Sequence, residues 1–129
     1  MPAVPPRAEE FLAAPHVGTL TTLRPDGSLH SVAVRFTWDA TSGLARVLTV
    51  ASSRKARNLI AAPGSRVALC QVDGFCWVTL EGTATVRDDR SHVADGVRRY
   101  AKRYWSAPPD PADRVVIEIV VDRVLSLNL

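Results

Sequence analysis

The plainest chemical signal in the chain is Ala51-Ser52-Ser53-Arg54-Lys55-Ala56-Arg57-Asn58, where a β-branched run passes into a helical pattern. Ser53 is a good helix N-cap. A helix start carries a partial positive charge, so acids are favoured in its first turn, yet this one holds Arg54, Lys55 and Arg57. A bound phosphate would reverse the sign of that arrangement by accepting backbone N–H groups, the serine hydroxyl and the cations together. The competing reading is an exposed face of solvated cations, whose mutual repulsion costs only about tenths of a kcal/mol at a surface.

Other chemistries find less support. His16, His30 and His92 are far apart and stand in no HxH, HExxH or carboxylate cluster, so no metal site is expected. The chain has no GxSxG, P-loop or GxGxxG segment. Cys70 and Cys76 match no common zinc or redox spacing. A hairpin turn at Asp73-Gly74 would set Gln71 opposite Cys76 and Cys70 opposite Trp77, so reduced thiols are expected. Glu81 and Glu118 sit among apolar strand residues and need partners if buried. Trp77 is a candidate aromatic platform, with a core position as the alternative.

The elements that must carry these residues are mostly strands. Residues 7–14 read as a short helix docking Phe11 and Leu12, with Pro15 as its stop. Residues 16–23 and 28–38 form a hairpin around Asp26-Gly27, the second arm placing Val32, Val34, Phe36 and Trp38 on one face. A strand over 44–51 leads into the helix opened by Ser53, which Pro63-Gly64 ends. Residues 66–72 and 75–87 form another hairpin, and Gly82 marks a bulge or bend within it. Residues 89–105 have helical period, with Val93, Val97, Tyr100 and Tyr104 on one side. SAPPDPAD ends that helix, and a strand over 114–122 is extended by 124–127. Six or seven strands with three helices close most simply as a mainly antiparallel barrel with helices outside.

Length and composition agree with one domain over residues 1–129, residues 1–15 forming an N-terminal arm: 129 residues are 47% hydrophobic and 22% charged. No apolar run is long enough to span a bilayer, and MPAVPPRAEEFLAAP lacks a secretory pattern, so a cytoplasmic protein is expected. The formal charge of +3 is spread among alternating Arg and Asp, which gives no nucleic-acid footprint.

The stretches GTLTTLRPDGSLHSVAV, ARVLTVASSRKARNL, VALCQVDGFCWVTLEGTATV and RYAKRYW followed by RVVIEIVVDRVL resemble the pyridoxamine phosphate oxidase-like split β-barrel flavin-binding family. The likeness covers about residues 16–127 and is strongest toward members that use the deazaflavin F420. Among these, the F420-dependent biliverdin reductases share QVDG, a Trp shortly after it, and LEG. The resemblance implies an FMN-binding split-barrel fold, a homodimer, and a cofactor lying between two barrels.

Carried onto this sequence, the resemblance places the cofactor phosphate at Ser53, Arg54 and Lys55, with Asn58 supporting that turn. Ser31, Val32, Ala33 and Val34, with Thr49, Val50 and Ala51, would flank the ring. Gln71 and Trp77 would approach from the second hairpin. Arg57, Arg98, Arg99 and Arg103 are available for the acidic tail of F420. The chain ends at VLSLNL without the substrate-gripping Trp and Arg segment of pyridoxamine phosphate oxidases, so that reaction is not expected. The implied activity is F420-dependent reduction of a conjugated, carboxylate-bearing small molecule such as biliverdin. Arg35 and His30 are the catalytic candidates: Arg35 for a propionate, His30 for a proton. The alternatives are an FMN-dependent oxidoreductase of the same fold, or a protein that binds flavin, deazaflavin or tetrapyrrole without turnover.

Overall fold

The computed structural model describes residues 2–129. The elements in chain order are α1 (Pro6–Ala13), β1 (Gly18–Leu23), β2 (Leu29–Val34), β3 (Thr37–Asp39) and β4 (Leu44–Val50). They continue as α2 (Arg54–Ala61), β5 (Ser65–Asp73), β6 (Cys76–Arg87), α3 (Arg90–Tyr104) and β7 (Arg114–Leu127). All seven strands join one sheet in the order β2-β1-β5-β6-β7-β4-β3, every pairing antiparallel. No helix is long and apolar enough to cross a membrane.

The two edges of this sheet, β2 and β3, are neighbours in sequence, separated only by Arg35 and Phe36. The sheet must therefore curl until its edges nearly meet, and it stays open between them. That opening is the split of the barrel. Periodicity predicts one strand over 28–38, but the ladder ends at Val34, opposite the first residue of β1, Gly18. Beyond that point the Tyr104 hydroxyl supplies the missing partners, accepting from the Phe36 N–H at 3.0 Å and donating to Phe36 O at 3.0 Å. Chain 37–39 is then free to pair with β4 at the opposite edge.

Inside the curl, Leu20, Phe36, Leu69, Val78, Leu80, Ile117 and Ile119 form the core, capped by Ala8 and Leu12 of α1. The expected bend at Gly82 is present: the β6–β7 register slips between Glu81 and Gly82, leaving Asp122 unpaired. Backbone is so close there that a Cβ on Gly82 would lie 2.0 Å from Val120 O. The hairpin β5–β6 turns one residue later than expected. Gly74 takes φ +60°, as the first position of a two-residue loop requires, so Gly74-Phe75 is the loop and Asp73 faces Cys76. Cys70 consequently lies opposite Thr79, and both thiols are free.

Helix α3 lies outside the sheet on β4 and β7, where Gly96 sits against Leu48 and Val116. Beneath it Arg46, nearly buried, reaches Glu118 at 3.5 Å, Asp95 at 3.5 Å and Asp39 at 3.8 Å. Glu118 also faces Arg87 at 3.5 Å. The partner that a buried Glu118 needs is thus the cross-strand Arg46.

Candidate functional site

The split exposes backbone on both of its walls. Strand β2 pairs on one side only, with β1, while β4 pairs with β7 throughout but with β3 only over Leu44–Arg46. Residues 33–35 and 48–50 therefore face each other as unpaired strand edges, and between them lies a cleft of about 400 Å³. Its lining includes the expected Ala33, Val34, Arg35, Thr49, Val50 and Lys55.

At one end of the cleft β4 hands over to α2. Thr49 Oγ1 donates to Ser53 Oγ at 3.0 Å, and the Ala56 N–H donates to the same oxygen at 3.3 Å. A hydroxyl has two acceptor positions and one proton to give. Both acceptor positions of Ser53 are filled, so its O–H is left for an acceptor outside the helix. The first turn of α2 holds no acid. Lys55 is half-buried, and burial pushes its pKa below the usual lysine range. A desolvated ammonium gains most from a nearby anion.

His30 belongs to this end as well. Its ring faces the barrel interior side by pairing with Thr22, and Nδ1 is buried without a hydrogen-bond partner. Burial lowers its pKa below the ordinary histidine value, and Arg24, Lys55 and Arg54 add to the shift. Burial first, and the nearby cations second, therefore favour the neutral imidazole. Asn58 is buried and donates to Thr22 Oγ1 at 2.9 Å, pinning α2 to β1 below the cations.

The remaining expected residues are distributed by strand alternation. Ser31 points to the outer face, sharing a 2.9 Å hydrogen bond with Thr21, whereas Val32 packs on the core. Ala51 follows β4, its N–H donating to Asp113 O at 2.9 Å. Arg54 is exposed at the start of α2. Gln71 and Trp77 do not converge. Gln71, 1% exposed, faces the interior, donating to Phe11 O at 2.7 Å and accepting from Arg103 at 3.0 Å. Trp77 stands on the outer face between Val72 and Leu127.

The expected arginine groove does not form from the residues named for it. Arg103 is committed to the Leu12, His16 and Gln71 oxygens, Arg99 to Asp95 and Asp39, and Arg98 to Asp95. Of these four, only Arg57, exposed on α2, has neither a side-chain hydrogen bond nor an ion pair among the described residues.

Three contributors to the cleft have no local signature in the sequence. Tyr100 comes from α3, Pro108, Pro109 and Pro111 form a strap across the opening, and Arg114 opens β7. SAPPDPAD marks only the end of a helix, and nothing in it shows that the chain returns over the split. The strap is fixed at Asp113, which receives the Ala51 N–H and, at 3.3 Å, the Ser52 hydroxyl.

A model of the pyridoxamine 5'-phosphate oxidase family matches residues 4–128. The F420H(2)-dependent biliverdin reductase of Mycobacterium tuberculosis (strain CDC 1551 / Oshkosh) is 48% identical over 115 residues, spanning 89% of this chain and 82% of that protein. A solved F420 reductase has a TM-score of 0.77 at 28% identity, covering 95% of this chain and 98% of its own. The conserved hypothetical protein Rv2991 from Mycobacterium tuberculosis gives 0.80 at 26% identity, covering 98% and 85%.

Proposed function

The chain belongs to the pyridoxamine 5'-phosphate oxidase family, and from that premise we propose that it is an F420-dependent reductase of a conjugated, carboxylate-bearing substrate of the biliverdin type. The observation that carries this reading is the Ser53 end of the cleft. A hydroxyl with both acceptor positions filled and a desolvated lysine that lines the cleft stand where no acid lies in the helix turn, and His30, its Nδ1 unpartnered, lies within electrostatic range of the same cations. That donor set fits a phosphate, and the apolar walls of Ala33, Val34 and Val50 fit a flat ring. Two of the high-coverage relatives, the biliverdin reductase and the F420 reductase, are named for F420, which favours the deazaflavin over FMN.

When bound, the reduced deazaflavin supplies the hydride, and the protein supplies position and charge. Ser53, Arg54 and Lys55 hold the phosphate. The unpaired edges of β2 and β4 present backbone donors and acceptors to the ring and substrate. The proline strap limits access of water to the cleft. Arg35 stays charged and pairs with a substrate carboxylate, while His30 holds a proton at Nδ1 once the neighbouring cations are neutralised.

The functional unit is a cytoplasmic homodimer. The outer sheet face around Trp77 carries Val72, Leu125 and Leu127, all substantially exposed, a stripe that a second copy would cover. Free Cys70 and Cys76 accord with a reducing compartment.

Titration of the protein with F420 and with FMN, followed by stopped mixing of the F420H2 complex with biliverdin, tests the reading. Micromolar F420 binding and protein-dependent reoxidation of F420H2 by biliverdin are expected. Tighter FMN binding would make the protein a flavin-dependent oxidoreductase, and binding without reoxidation would make it a carrier.

A further inference from the structure

Arg114 occupies a position unlike that of the other cations in the split. Its side chain is only 9% exposed, and its one ionic neighbour among the described residues is Asp110 at 3.8 Å, a carboxylate that is itself 96% exposed. So open a pair leaves the guanidinium poorly compensated for the water it has lost. Arg114 is held there by its backbone, since it faces Val50 across the β4–β7 ladder and its N–H reaches Pro111 O at 3.4 Å. Its main chain is thereby fixed at the start of β7, so only rotation of the side chain can move the guanidinium.

The surroundings say what the guanidinium lacks. The cleft is lined by Arg35, Lys55 and Arg114, and by no acidic side chain. Arg35 and Lys55 already have roles at the β2 edge and at the phosphate end. Arg114 stands on the third side, under Pro108 and Pro111, where a ligand spanning the split would end. Asp88 shares a neighbouring pocket with Arg114 but forms no ion pair with it, and Asp110, which does, hangs in solvent on the strap, so a ligand carboxylate can replace it with a closer, planar, two-point contact.

We propose that Arg114 is a carboxylate subsite of the cleft, which exchanges its loose pair with Asp110 for a carboxylate of the bound ligand. This rests on the functional reading above. The carboxylate comes either from the substrate or from the glutamyl tail of F420, and the chemistry is the same for both.

Equilibrium binding separates these sources without relying on turnover. Biliverdin and its dimethyl ester are titrated into wild type, Arg114→Gln, Arg114→Lys and Asp110→Asn, reading quenching of tryptophan fluorescence. F420 and its analogue lacking the glutamyl tail are titrated into the same proteins by deazaflavin fluorescence. For a substrate carboxylate, Arg114→Gln weakens diacid binding about tenfold, leaves ester binding within about twofold, and Arg114→Lys restores part of the loss. For a tail carboxylate, the same pattern appears between tailed and tailless F420. Asp110→Asn, a change at an exposed residue, tightens the carboxylate ligand about two- to fivefold, and it provides a readout should Arg114→Gln fail to fold. Equal effects on acid and ester, and on tailed and tailless cofactor, would overturn the subsite. Wild-type protein that binds biliverdin with this discrimination but does not reoxidise F420H2 would overturn the reductase reading and leave the subsite standing.

Discussion

Arg35, immediately after β2, donates a 2.8 Å hydrogen bond to the Tyr100 hydroxyl of α3, and its guanidinium carbon lies 4.9 Å from the centre of the Tyr104 ring. The cation is thereby fixed at the rim of the split by a helix 65 residues away in the chain. Arg35→Ala is expected to raise KM for a dicarboxylate substrate about tenfold while leaving the F420 Kd within about twofold, as steady-state kinetics and quenching titrations would show. Tyr100→Phe removes one orienting bond and keeps the charge, so its KM effect should be about two- to fivefold.

Ser53 and Lys55, proposed to hold the same anion, stand differently in the fold. Ser53→Ala loses the N-cap of α2 and should lower stability by about 1 kcal/mol, seen as a drop in melting temperature, as well as weaken F420. Lys55→Ala removes a desolvated cation that no carboxylate pairs, so stability should stay within about 0.5 kcal/mol while F420 affinity falls about tenfold or more. Equal F420 affinity in Lys55→Ala and wild type would place the phosphate elsewhere.

His30 gives the site a pH dependence of defined sign. Its pKa in the free protein lies below the ordinary value of 6.5 because burial and the cations of Arg24, Lys55 and Arg54 disfavour the imidazolium. Below pH 6.5 the unfolded chain thus binds more protons than the folded one at this group, and stability of the free protein falls as pH drops toward the folded pKa. A bound phosphate raises that pKa, so ligand binding takes up a proton and F420 affinity should rise as pH falls below neutrality. The phosphodiester of F420 does not titrate there. His30→Gln should flatten the profile measured by fluorescence between pH 5 and 8.

The ion cluster beneath α3 is a stability feature. Removing Glu118 takes away the cross-strand partner of Arg46, 7% exposed, and leaves it Asp95 at 3.5 Å and Asp39 at 3.8 Å. Glu118→Ala should cost about 3 kcal/mol in chemical denaturation. Arg98→Ala, on the exposed side of the same helix, should cost less than about 1 kcal/mol.

Much of the candidate site is legible without coordinates because it is local. A serine N-cap followed by cations instead of acids violates a rule that operates over one helical turn, so Ser53, Arg54 and Lys55 stand out in the sequence. Alternation likewise assigns Val32 and Val34 to one side of β2 and Ser31 and Ala33 to the other. Gly82 marks its own bulge because only a residue without Cβ fits beside Val120 O.

The rest depends on separations too long for periodicity to register. The Ser28–Trp38 pattern is continuous, yet β1 runs out of partners at Gly18 and the Tyr104 hydroxyl takes over at Phe36, so one apparent strand becomes both edges of the sheet. Gln71 and Trp77 look alike as polar or aromatic breaks in a hairpin. A loop placed at Gly74-Phe75 pairs Trp77 with Val72, the neighbour of Gln71, and so sends Gln71 into the interior and Trp77 outward. The sequence by itself determined the strands, their alternation and the positively charged helix start, because each is set by neighbours within a few residues. Only the tertiary structure decided that the sheet stays open beside that helix and that Tyr100, the proline strap and Arg114 complete the cleft, because those contacts form only when the curled sheet brings its two edges together.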